Sequence, residues 1–202
     1  YLLGTPSSVQ QYKGTGTFTV TNDMNLSGNS SMYFAYGDSS TGKIRIAITR
    51  DLNINGNTIV NGAYTNGAFT LKAGRNLTLT QGKFSGQNYF NNAAIDSIIV
   101  GTAFTFNSAV ASDYFKANRS AGNTFVTAPS FSVLNSGTGY GQGVALVDSG
   151  ASNLSFAVNQ FTQDAGKFCG ILSGTGTLTF NCTGLLDMNG GIFKGNENTL
   201  FA

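Results

Sequence analysis

The sequence predicts an all-β fold, a right-handed parallel β-helix (solenoid) with irregular insertions, and three observations carry that expectation. Apolar residues alternate with Thr, Ser and Asn at a period of two. Gly, Asn and Ser punctuate every alternating run, as turns with positive φ require. Related units return at spacings of 23 to 26 residues, which suits one coil of a stacked solenoid. A β-sandwich is the alternative, because its hairpins also recur at short intervals.

The alternation is clearest in four places. Phe18 and Val20 alternate with Thr17, Thr19 and Thr21; Ile44, Ile46 and Ile48 with Arg45, Ala47 and Thr49. Leu77 and Leu79 alternate with Thr78 and Thr80; Leu178 and Phe180 with Thr177 and Thr179. The openings Gly16-Thr-Phe, Gly42-Lys-Ile and Gly67-Ala-Phe lie 26 and 25 residues apart. Asn153-Leu-Ser-Phe and Gly176-Thr-Leu-Thr-Phe lie 23 apart, and Phe168 and Phe193 lie 25 apart. The run from Leu77 to Phe84 returns as Leu185 to Phe193, each closing on Gly and an aromatic. Asn-Gly pairs at 55–56, 61–62, 66–67 and 189–190 serve either coil corners or hairpins.

The middle is less regular. Asn91 to Val100 reads as a buried strand or a short helix, and Ser108 is placed to N-cap one or two helical turns ending at Asn118. Both read as insertions between coils. Residues 1–15, opening with the apolar Tyr1 to Pro6, form an N-terminal cap or a donated strand, and 16–202 a single solenoid domain.

Of the 202 residues, 41% are apolar and only 10% charged, against a usual charged share of roughly 25%. Glu197 is the only glutamate. The surface must therefore consist mainly of hydroxyls, amides and glycine, a composition suited to secreted, wall-associated or fibrous β proteins. A dispersed net charge of +2 gives no basic patch for nucleic acid. There is no run of about 18 apolar residues, so no membrane span is expected. The absence of histidine removes Ser-His-Asp and Cys-His catalysis and imidazole metal ligands. Neither a metal nor a cofactor is expected; the Gly174-Thr-Gly-Thr segment reads as turns, not a phosphate loop.

Cys169 and Cys182, 13 positions apart, either pair, which would stabilise by ~3 kcal/mol, or act as small buried hydrophobes. Glycoside hydrolysis needs two nearby carboxylates; stacking coils could juxtapose Asp164 and Asp187, although turn capping explains aspartates equally well. The Thr-x-Thr sets at 15–21, 78–80 and 175–179 evoke ice-binding solenoids, or simply solvated strand faces. Tyr33, Tyr36, Tyr89 and Tyr140 lie in Gly/Asn/Ser contexts and offer ligand-facing rings with an apolar face and a polar tip.

Units such as Gly-Thr-Leu-Thr-Phe-Asn (176–181) running into Leu185-Leu-Asp-Met-Asn-Gly-Gly-Ile-Phe193 resemble the repeats of secreted β-helix adhesins and surface proteins of Bacteroidetes-type bacteria. The resemblance implies export, a cell-surface setting and an elongated shape, and it carries no catalytic residues. The expected function is a non-catalytic extracellular structural or adhesive surface protein, meeting cell-surface or matrix glycans or proteins. Two alternatives stand beside it: a self-assembling filament subunit forming a homopolymer, and a polysaccharide-binding or polysaccharide-processing β-helix protein.

Overall fold

The computed structural model describes residues 8–10, 15–29, 31–33, 43–56, 59–63, 68–87, 95–118, 122–147, 153–173 and 175–196. A first strand, β1 (Ser8–Gln10), precedes a series of coils. The first four coils have three strands each. They are β2 (Gly16–Val20), β3 (Met24–Ser27) and β4 (Ser31–Tyr33), then β5 (Ile44–Ile48), β6 (Leu52–Asn55) and β7 (Ile59–Ala63). Next come β8 (Phe69–Ala73), β9 (Asn76–Leu79) and β10 (Lys83–Gln87), then β11 (Ile95–Val100), β12 (Ala103–Asn107) and β13 (Tyr114–Asn118). In the following two coils the first pair of strands is continuous: β14 (Asn123–Asn135) with β15 (Gly143–Val147), and β16 (Asn153–Gln163) with β17 (Lys167–Ile171). The last coil is β18 (Leu178–Cys182), β19 (Leu186–Met188) and β20 (Ile192–Asn196).

Every strand pairing among the described residues is parallel and joins consecutive coils. The third strands form one sheet of eight, and the first and second strands form the other. This is a parallel β-helix, and the antiparallel sandwich is excluded. The Asn-Gly pairs accordingly join no hairpins. Gly56 (φ 107°) turns the corner after β6, Asn61-Gly62 lies inside β7, and Gly190 lies in the corner before β20. The pair at 66–67 falls outside the described residues.

In-register pairing turns the period-two alternation into three inward columns, one for each side of the coil. The first runs Phe18, Ile46, Leu71, Ile98, Val126, Phe156, Phe180. The second runs Met24, Leu52, Leu77, Phe104, Phe131, Phe161, Leu186. The third runs Met32, Val60, Phe84, Phe115, Val144, Phe168, Phe193. Neighbouring strands lie about 4.8 Å apart, close to the separation at which aromatic rings stack. Rings in one column exploit it: Phe104 and Phe131 stack at 4.1 Å, Phe84 and Phe115 at 4.7 Å, Phe168 and Phe193 at 5.0 Å. Each such contact adds about 0.5–1.5 kcal/mol to the burial of its rings.

Phe168 and Phe193 share a column, as their spacing predicts. The glycine alignment fails at the first coil, because Gly16 pairs with Ile44 and not Gly42. The middle segment also departs from expectation. Residues 95–100 form a strand, and no helix follows Ser108. Its hydroxyl instead donates to buried Asp113 (2.6 Å) and accepts from the Val110 amide (3.2 Å). The Asp113 carboxylate in turn accepts from the Gly82 amide one coil below (2.8 Å), so a capping residue braces a corner instead of starting a helix.

Corners need a chain path that a side chain would block. Gly28, Gly56 and Gly82 take positive φ at successive corners between the two sheets. At the corner after the first strand, a Cβ on Gly101 would lie 2.0 Å from the Gly74 carbonyl oxygen, which is backbone and cannot yield. Gly101→Ala is therefore expected to cost at least about 3 kcal/mol, read as a lower urea midpoint at unchanged m-value; a loss under about 1 kcal/mol would contradict this packing.

Candidate functional site

The outward residues of the first strands form two exposed columns. One runs Thr17, Arg45, Thr70, Ser97, Phe125, Ser155, Thr179, and the other Thr19, Ala47, Lys72, Ile99, Thr127, Ala157, Asn181. This register breaks up the expected threonine array. Thr17 sits on Arg45 and Thr19 on Ala47, so the Thr-x-Thr sets never stack on one another. What the face does present is Ile95, Ile99 and Phe125, 55%, 38% and 43% exposed, among hydroxyls. Their signal in the sequence was phase: each falls on the outward parity of its strand.

Beside this face an ionic corner braces the lower coils. Asp23 accepts from the Asp51 amide (3.2 Å), and Asp51 accepts from the Asn76 amide (3.1 Å). Arg50 lies 3.4 Å from Asp23, and Arg75 reaches both carboxylates. The Arg75 guanidinium holds the Asp51 carboxyl below its usual range against a smaller opposing effect of burial. The arginines neutralise the acids, and the arrangement caps corners one coil after another.

Stacking does bring Asp164 and Asp187 together. The Asn189 amide donates to both, at 2.9 and 3.3 Å, bridging two coils in the manner of a structural clasp. Tyr140 lies 66% exposed in the loop before β15. Tyr33 belongs to β4, while its side chain, Tyr36 and Tyr89 lie outside the described residues. Cys169 and Cys182 are not bonded to each other. Cys169 is buried on β17, on the face opposite inward Phe168, whereas Cys182 closes the inward side of β18 in the other sheet. Cys169 is buried, whereas Cys182 is only half-buried.

Asp96 was not singled out by sequence, because nothing in its own strand marks it apart from its inward phase. It sits fully buried between Phe69 and Thr124, with Oδ1 accepting from the Phe69 amide (2.9 Å) and no hydrogen-bond partner at Oδ2. Burial pushes its carboxyl up to about 7 against the opposing pull of that amide. Among the described residues, no group of three or more His, Cys, Asp or Glu is placed to hold a metal ion, and no helix is long and apolar enough to cross a membrane. No family model, curated protein or solved structure matches the chain.

Because the folded protein keeps the Asp96 proton to about pH 7 and an unfolded chain releases it near 3.8, its contribution to stability is complete below pH 3.8. That contribution is then lost as pH rises to about 7. Asp96→Asn keeps an acceptor and no charge, so it should exceed the wild type in stability at pH 8 by on the order of 3 kcal/mol. Thermal melts of both proteins from pH 4 to pH 8 check this, and a difference that does not grow with pH would contradict it.

Proposed function

We propose that this protein is a non-catalytic extracellular scaffold that holds an adhesive face toward surface or matrix glycans or proteins. The observation that carries the reading is the outer face of the first strands, where Phe125, Ile99 and Ile95 stand exposed among hydroxyls and amides. Exposed apolar groups of this kind mark interaction surfaces when they cluster. The stack behind them fixes their spacing along the axis. The carboxylates that stacking brings together, Asp164 with Asp187 and Asp23 with Asp51, are engaged in bracing corners, which fits a structural role better than acid–base work. The charge-poor composition and the resemblance to secreted β-helix adhesins support export and a surface setting.

A second reading, end-to-end assembly into filaments, is favoured by one feature. Leu185, Leu186, Met188 and Ile192 are 55%, 51%, 50% and 36% exposed around the last coil, and among the described residues β18, β19 and β20 pair on one side only. Unprotected strand edges invite further strands. At the opposite end β2 and β3 also pair on one side only among the described residues, with Met24 and Leu26 buried.

Both readings are tested on one preparation. Protein with Phe125→Ser and Ile99→Ser should melt within about 1 kcal/mol of wild type and lose at least tenfold in retention on immobilised cell-wall or matrix material. Full retention would overturn the adhesive face. Negative-stain images showing only uniform short particles would remove the filament reading.

A further inference from the structure

A notch opens where the first side of the coil meets the second, and its cause is two missing residues. Three residues separate the inward Val100 from Phe104, and three separate Cys182 from Leu186. In the two coils between, only two residues separate Ala128 from Phe131 and Val158 from Phe161. There β14 and β16 run through the corner without a turn, while the coils on either side turn it with one residue more. The recess is shallow and open to solvent, with a volume of about 300 Å³.

Its lining has a definite chemistry. Pro129 and Ala157 give part of its apolar surface, and Thr127, Asn159, Asn181 and Thr183 supply hydroxyls and amides. The Thr183 hydroxyl donates to Asn159 Oδ1 (3.2 Å), which fixes one amide in place. Among the described residues, no ionisable side chain lines the recess. A charged ligand would lose water there without gaining a counter-charge, and a purely apolar one would leave amides without partners. A sugar ring offers an apolar face and a fringe of hydroxyls, the combination such a lining satisfies. Thr127 is the register partner of Ile99 and the second residue after Phe125, so the notch opens onto the exposed apolar face.

We propose that this notch binds a neutral saccharide unit of a longer glycan. The proposal rests on the adhesive reading and gives it a ligand class, yet it depends on other residues. Saturation-transfer NMR with neutral cello-, manno- and chito-oligosaccharides, with polygalacturonate as the charged comparison, tests it. At least one neutral series is expected to bind, with no change on raising the salt concentration. Ala157→Phe, which fills the recess, and Asn181→Ala, which removes an exposed amide, should each weaken binding at least tenfold without altering the melt. No binding by any neutral series, binding unchanged in Ala157→Phe, or binding of polygalacturonate alone would each overturn it. Surface retention that persists in Ala157→Phe would overturn the notch and leave the adhesive face intact; saccharide binding at the notch without surface retention would do the reverse.

Discussion

A coil of this chain cannot dry its own inward side; only the coils above and below can. That dependence on parallel, in-register neighbours governs the rest of the structure. With strands about 4.8 Å apart, a residue type that packs well against itself at that distance can be used again and again. Phenylalanine does so here, stacking within one column at Phe104–Phe131, Phe84–Phe115, Phe156–Phe180 and Phe168–Phe193. Edge-to-face contacts between columns, such as Phe156 with Phe168 and Phe161 with Phe193, tie the sides of the coil together.

The same constraint moves variation to the corners. A corner tolerates a change of length only if its backbone amides find new acceptors, and these corners find them in neighbouring coils. Asp23, Asp51 and Asp113 accept amides from the adjacent coil, and Gln163 donates to the Ile192 carbonyl from an inward position (3.0 Å). Among the described residues, Asp23, Arg50, Asp51, Arg75 and Asp113 serve this bracing. The outer face carries hydroxyls, amides, the exposed Arg45 and Lys72 and a few apolar groups, and a shortened corner is left as a recess.

The alternation and the aromatic endings made the coil legible before any coordinates. Leu154-Ser-Phe156 lies on Leu178-Thr-Phe180 residue for residue, and Phe84 shares its column with Phe193. Register was harder to read at the first coil, where Gly16 meets Ile44, because a glycine marks a corner without fixing its length. Ser108 followed the chemistry of a cap yet braced a turn, since its acceptor role is satisfied equally well by Val110. Asp96 and the notch were hidden for a common reason. One is a polar residue at an inward phase and the other a one-residue difference between coils, and both become visible only when columns are aligned.

The stacking register itself is most directly measured as a distance along the axis. Thr17 and Thr179 are exposed, occupy one outward column and are separated by six strand spacings, or roughly 29 Å. Spin labels at these two positions, diluted into unlabelled protein and measured by pulsed dipolar spectroscopy, should give a single narrow distribution near that value. A broad distribution, or a mean displaced by more than about two strand spacings, roughly 10 Å, would contradict the stacked parallel coil.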